Sequence, residues 1–128
     1  MPITYSVSSD GLFVHAVAKG TLTTEEVLAF QKDLQQDNRV KPGYKMLFDE
    51  SRISESRIEE QGLQAIVARE TSDEAKRPAK LAIVAGPGSS FPRALEYEKM
   101  VAPAQETVIV FHNEDIARQW LGVPRGDQ

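Results

Sequence analysis

Two short apolar runs constrain the fold of this chain more than any other feature. Tyr44–Phe48 and Leu81–Ala85 are predicted to be buried strands, and the second is apolar on both faces. Each run is followed by apolar residues at helical spacing. Because strands separated by a helix pair in parallel through a crossover, the two runs predict an open α/β sheet with a parallel centre.

The remaining segments complete a predicted order of ββαβαβαβα, a mixed five-stranded sheet covered by helices. Residues 3–7 alternate between apolar and polar side chains, which is typical of a strand with one solvated face. Asp10-Gly11 then predicts a turn into a second strand, Leu12–Ala18, which Gly20 is expected to end. The first two strands are therefore expected to form an antiparallel hairpin.

A capping box marks the start of the first helix. Thr23 and Glu26 have the spacing at which each side chain binds the other residue's backbone amide, and this predicts a helix over about Thr24–Asp37. Its apolar stripe contains Phe30, whereas Gln31 is assigned to the polar face.

The third strand is expected to end in a charged, serine-rich turn, Asp49–Glu55. Ser56–Glu59 forms a second capping box, which predicts a helix reaching about Thr71. A glycine at position 62 costs about 1 kcal/mol relative to alanine in a helix, so Gly62 indicates close packing or the close approach of a partner.

The last third of the chain continues the alternation of helix and strand. Asn113 is expected to cap the final helix, and Gly122 is expected to end it. The other predicted features are a third helix stopped by Pro103, its buried residues Phe91, Leu95 and Val101, a fifth strand Thr107–Phe111, and the inward-facing Ile116, Trp120 and Leu121.

Composition places the chain among single globular domains. Its 128 residues, 41% hydrophobic and 27% charged, suit one domain over 1–122 followed by a flexible tail at 123–128. The net charge of −4 argues against nucleic-acid binding, because phosphate contacts need clustered lysine and arginine. The lack of cysteine excludes disulfides and cysteine chemistry, and the lack of a long apolar window predicts no membrane span. A cytoplasmic location is expected.

The order of elements and the segment Ile58–Leu63 resemble the SpoIIAA-like branch of the STAS domains, and the resemblance covers nearly the whole chain. The family carries an apolar-Asp-Ser-Ser-Gly-Leu segment at the start of its second helix, and Gly62 and Leu63 match it. In regulatory members the first serine is phosphorylated by a partner kinase, which releases a bound anti-sigma factor. Here that position is Glu60, with Glu59 for the aspartate and Gln61 for the second serine, so this chain lacks the usual switch.

The resemblance implies a partner-recognition segment around the start of the second helix. Glu59 and Glu60 also suit a structural role, because acids stabilise the first turn of a helix. The two arginines of the segment have the chemistry to hold a phosphate, although five acids accompany them between residues 49 and 60. The recognition candidates are Asp49, Ser51, Arg52, Ser54, Ser56, Arg57, Glu59, Glu60 and Gly62.

A second candidate is the loop that joins the fourth strand to the third helix. Glycine and serine at a helix N-terminus expose backbone amides that attract anions, but the same residues are common in ordinary turns. The anion-binding candidates are Gly86, Gly88, Ser89 and Ser90.

No motif in the sequence predicts a metal site, a cofactor or a catalytic group. We therefore expect a non-catalytic regulatory or ligand-binding domain that recognises a protein or a small apolar or anionic ligand. One alternative is a small enzyme that uses Asp49 or His112 at the carboxyl ends of the strands. The other is a structural module that forms a homodimer through an exposed strand edge or helix face.

Overall fold

The computed structural model describes residues 3–72, 76–86, 90–101 and 107–123. They form five strands and four helices in the predicted order. The elements are β1 Ile3–Val7, β2 Phe13–Leu22, α1 Thr24–Gln35, β3 Lys45–Ser56, α2 Glu60–Thr71, β4 Lys80–Val84, α3 Ser90–Val101, β5 Val108–Phe111 and α4 Glu114–Leu121.

The sheet has the spatial order β1-β2-β3-β4-β5, with β1 antiparallel to β2 and the other neighbours parallel. Because each crossover joins adjacent strands with the same hand, α1, α2 and α3 lie on one face. Their buried residues, including Phe30, Leu63 and Tyr97, share one core with Met46 and Phe48 of β3. The predicted mixed sheet is confirmed.

The opposite face is covered by α4. Ala117 and Leu121 pack on Leu47 of β3 and Ala82 of β4, and none of the four is exposed. Asn113 caps α4 through its side-chain oxygen, and Gly122 ends it with a φ of 74°, both as predicted. The prediction that Ile116 faces inward is wrong: its exposed fraction is 55%, and Arg118 is buried instead.

Strand β3 is much longer than predicted. Residues 49–56 do not form a turn: they extend the strand and pair with the end of β2. Gly20 does not end β2 either, since its φ of 71° lies between shifts in the pairing register at residues 17–19 and 20–21. This irregularity lets both strands continue as a two-stranded parallel ribbon beyond β4.

The ribbon changes the start of α2. Ser56 pairs with Leu22, whose carbonyl accepts a hydrogen bond from the Arg57 amide at 2.8 Å. The predicted capping box at Ser56–Glu59 is therefore wrong, and α2 begins one residue after Glu59 with no side-chain cap. The box at Thr23 is confirmed, with both reciprocal hydrogen bonds present.

The buried residues of α3 and the end of α4 differ in part from the predictions. In α3, Ala94, Tyr97 and Val101 are buried, whereas Leu95 is only partly covered. Val123, expected in the tail, packs against the α4 core, and its amide donates to the Arg118 carbonyl at 3.0 Å. Pro103 and residues 124–128 lie outside the described part of the chain.

Candidate functional site

A cavity lies between the sheet and the three helices on its first face. Its volume is about 80 Å³, enough for roughly five waters or a small organic group. Most of its wall is apolar and comes from α1, α2, α3 and strands β2 to β4, including Phe30, Phe48, Leu63, Ile66, Ile83 and Ala94. Its polar lining consists of Gln31, Glu50, Ser56, Glu70 and Arg93.

Glu50 places a carboxyl group in this apolar wall. Met46, Phe48 and Glu50 alternate along β3 and therefore point to the same face of the sheet. The Glu50 side chain has an exposed fraction of 9%. Burial raises the pKa of the Glu50 carboxyl to about 8, and the neighbouring Asp49 carboxylate adds to the rise. Glu50 is thus mostly protonated at neutral pH.

Gln31 and Glu70 connect α1 to α2 at the cavity wall. The Gln31 side-chain nitrogen donates to the Ile66 carbonyl at 3.0 Å and to Glu70 Oε2 at 3.1 Å. Both residues are buried, so the assignment of Gln31 to a polar face is wrong. Their positions follow from helical spacing, since Gln31 lies four residues after Val27, and Glu70 lies four after Ile66.

Asp49 faces the other side of the sheet. It is buried, and its Oδ1 accepts hydrogen bonds from the Ser51 amide at 2.9 Å and the Ser51 hydroxyl at 2.6 Å. These bonds hold the strand locally, while alternation along β3 directs Asp49 away from the cavity. Two successive carboxyl groups of β3 therefore have different surroundings, one hydrogen-bonded by its neighbour and one facing the cavity.

The predicted recognition residues are not gathered in a turn but run along the ribbon and into the start of α2. At about 3.3 Å per residue, Asp49 and Ser56 are about 23 Å apart. The Arg57 guanidinium contacts Glu55 at 3.3 Å, with both side chains more than half exposed. Ser51, Arg52, Ser54, Arg57, Glu59 and Glu60 are exposed, whereas Ser56 is half-buried and lines the cavity.

Gly62 has a packing role. A β-carbon at this position would lie 2.2 Å from the Thr24 hydroxyl and 3.0 Å from its methyl group. Because α1 and α2 approach each other here, any side chain at position 62 must displace Thr24. The sequence offers two explanations for this glycine. The structure shows the first of them, close packing.

The predicted anion loop is only partly described. Gly86 is buried, and a β-carbon there would lie 3.1 Å from the Ser51 carbonyl oxygen, so the end of β4 approaches β3 closely. Ser90 is the first residue of α3, while Gly88 and Ser89 lie outside the described residues.

His112 lies at the same end of the sheet. It follows β5, and its ring nitrogen Nδ1 is 3.2 Å from the Ala85 carbonyl. Its ring contacts Phe91, with the two centroids 4.4 Å apart. Gly86 and His112 thus follow the neighbouring strands β4 and β5 at one edge of the sheet, where Gly86 approaches Ser51 within the longer strand β3.

Two features are absent from the described part of the chain. Within residues 3–72, 76–86, 90–101 and 107–123, no group of three or more His, Asp or Glu side chains is placed to hold a metal ion. None of the four described helices is both long enough and apolar enough to cross a membrane.

Comparisons with known proteins identify the fold. No family model matches the sequence, and no curated protein matches it either. A solved structure does match: an uncharacterised protein of the DUF3478 family from Shewanella loihica PV-4, described as having a SpoIIAA-like fold. The TM-score is 0.59 at 17% identity, covering 93% of this chain and 91% of that one. This chain therefore has a SpoIIAA-like fold, as the sequence resemblance implies.

Proposed function

We propose that this domain is a non-catalytic binding protein whose ligand is a small, largely apolar molecule held between the sheet and α1–α3. The cavity carries the proposal, because it combines an apolar wall with a buried carboxyl group. Ligand sites in proteins commonly have this composition, in which apolar area supplies affinity and a few polar groups fix the orientation.

The polar groups of the cavity argue against a purely structural void. Empty cavities in protein cores are apolar, whereas Gln31, Glu50 and Glu70 surround this one. Burying a carboxyl group costs free energy unless the group is paired. An apolar residue at position 50 would therefore give a more stable core. Retaining Glu50 there supports a role in binding.

Titration with n-butanol, followed by methyl chemical shifts, tests this proposal. We expect saturable shifts for Leu63, Ile66 and Ile83, which line the cavity, and none for Leu47 and Leu121 on the opposite face. Ala94→Leu should abolish the shifts, because the larger side chain enters the cavity while the fold remains. Equal shifts on both faces, or none at the lining residues, would contradict the proposal.

A second candidate function is recognition of a protein by the exposed side of the ribbon and the start of α2. Its support is that β3 pairs with β4 only up to Asp49, so no described strand pairs with that edge of residues 50–56. Such an edge suits an added strand from a partner or from a second copy of the chain.

Glu60→Lys tests the second candidate, since Glu60 is exposed and the change leaves Gly62 packed on Thr24. We expect this variant to lose a protein captured by the native domain, or to lose self-association in sedimentation. Lys32→Glu on α1 is a control for charge alone. If Glu60→Lys retains the same captured protein and the same association state as Lys32→Glu, the start of α2 is not part of the recognition surface.

A further inference from the structure

Gln31 supplies an unsatisfied acceptor to the cavity wall. Its amide orientation is fixed, because the Ile66 carbonyl near the side-chain nitrogen can only accept a hydrogen bond. The other atom, Oε1, is therefore an oxygen, and this buried oxygen has no hydrogen-bond partner within the described residues. A buried acceptor without a donor is costly, so a bound molecule that donates there gains affinity.

Glu50 supplies a second acceptor in its ionised form. Among the described residues, no hydrogen-bond donor or cation acts on its carboxyl group, which is nine-tenths buried. Arg93 lines the same cavity, but its Nη1 binds Glu96 at 2.8 Å on the exposed side of α3. Within the described part of the chain, no arginine or lysine therefore pairs with Glu50.

The charge of the surroundings selects the kind of ligand. The charged or titratable groups around Glu50 are Asp49 on β3, Glu70 on α2, and Arg93 and Tyr97 on α3, while α1 contributes the uncharged Gln31. Three of these groups, Glu50, Asp49 and Glu70, are carboxyls and Arg93 is a cation, so an added carboxylate would meet mainly like charge. A cation would meet carboxylates and the Gln31 oxygen.

We propose that the ligand of this cavity is a small alkylamine-type molecule, whose ammonium group donates to Glu50 and to Gln31 Oε1 while its hydrocarbon part contacts the apolar wall. This inference rests on the proposed function and adds the chemical class of the ligand. Charge-assisted hydrogen bonds are roughly twice as strong as neutral ones, so the ammonium group supplies selectivity over neutral molecules of the same size.

Binding is coupled to a proton. An alkylamine stays protonated near neutral pH, like lysine, whose ordinary pKa is about 10.4. Burial raises the pKa of Glu50 to about 8, so the free protein carries a proton there at neutral pH. The ammonium group favours ionised Glu50, and the displaced proton passes to solvent. Affinity for the amine should therefore rise with pH up to about 8 and level off above it.

Three four-carbon probes, n-butylamine, n-butanol and butanoate, test the inference in the native domain. Near pH 8 we expect n-butylamine to bind about tenfold more tightly than n-butanol, and butanoate to bind least. Calorimetry of n-butylamine binding in two buffers of different ionisation enthalpy should show release of close to one proton at about pH 6.5 and little above about pH 9.

Glu50→Gln is the matched variant, because it keeps the shape and removes the charge. It should bind n-butylamine no more tightly than n-butanol and release no proton on binding. If n-butanol or butanoate binds the native domain as tightly as n-butylamine, the amine inference is wrong and the binding function stands. If none of the three probes shifts the lining methyl groups, the proposed function itself fails.

Discussion

The two faces of the sheet each bury an ionisable side chain, Arg118 on one and Glu50 on the other, in different surroundings. On the α4 face, the Arg118 side chain is 3% exposed, binds Glu114 at 2.8 Å, and lies with its guanidinium carbon 5.6 Å from the Phe13 ring centroid. On the three-helix face, Glu50 borders a cavity and contacts no cation among the described residues. A buried ionisable group that is paired can be explained by structure alone, whereas one that borders a cavity without a partner is a candidate for ligand binding.

The largest expected difference between the faces is a dependence of stability on pH. The pKa of Glu50 is raised from its ordinary 4.5 to about 8 in the folded protein. Between these values the folded state holds a proton that the unfolded state has lost, so the free energy of unfolding falls as pH rises. The fall should approach about 1.4 kcal/mol per pH unit and end near pH 8.

Denaturant unfolding of the native domain and of Glu50→Gln, at several pH values between 5 and 9, measures this dependence. Glutamine does not titrate, so the variant should gain stability relative to the native domain as pH rises. Glu60→Gln, which changes an exposed carboxyl, should keep the native slope. Equal slopes for the native domain and Glu50→Gln would show that Glu50 titrates normally and would remove the contrast between the faces.

The sequence predicts part of this contrast. Once β3 is known to continue past Phe48, alternation places Glu50 on the same face as Met46, and helical spacing places Gln31 and Glu70 on buried stripes. The continuation itself is not visible locally, because residues 49–56 are mostly polar and their strand conformation depends on pairing with β2. Tertiary pairing here overrides local propensity.

The sequence does not predict the cavity either, because the cavity also depends on tertiary contacts. The order of elements predicts which face each helix covers, but the volume left between three helices depends on how their side chains meet across distant parts of the chain. The resemblance of Ile58–Leu63 to the STAS segment indicates a site at the start of α2. The cavity lies beneath that segment, and Ser56 and Ile58 belong to its lining.

The second prediction concerns the paired charge of the α4 face. Glu114→Ala removes the carboxylate that binds the buried Arg118 guanidinium. We expect a loss of about 3 kcal/mol in the free energy of unfolding. Glu55→Ala removes the carboxylate from an exposed pair with Arg57 and should cost less than about 1 kcal/mol. Chemical denaturation of the two variants gives the comparison. Similar losses would mean that Arg118 is solvated after the substitution and that the α4 face is less tightly closed than the structure shows.

The smallest expected effect compares two buried helical alanines. Ala117 of α4 is fully buried against Leu47 and Ala82, and Ala94 of α3 borders the cavity. Leucine at position 117 must displace close-packed neighbours and should cost about 1–3 kcal/mol. Leucine at position 94 extends into the cavity and should change stability by less than about 1 kcal/mol, because the added carbons need no neighbour to move. Thermal and denaturant unfolding measure both changes. An equal loss at the two positions would indicate that the cavity is closed in solution, and the three-helix face would then be as tightly packed as the α4 face.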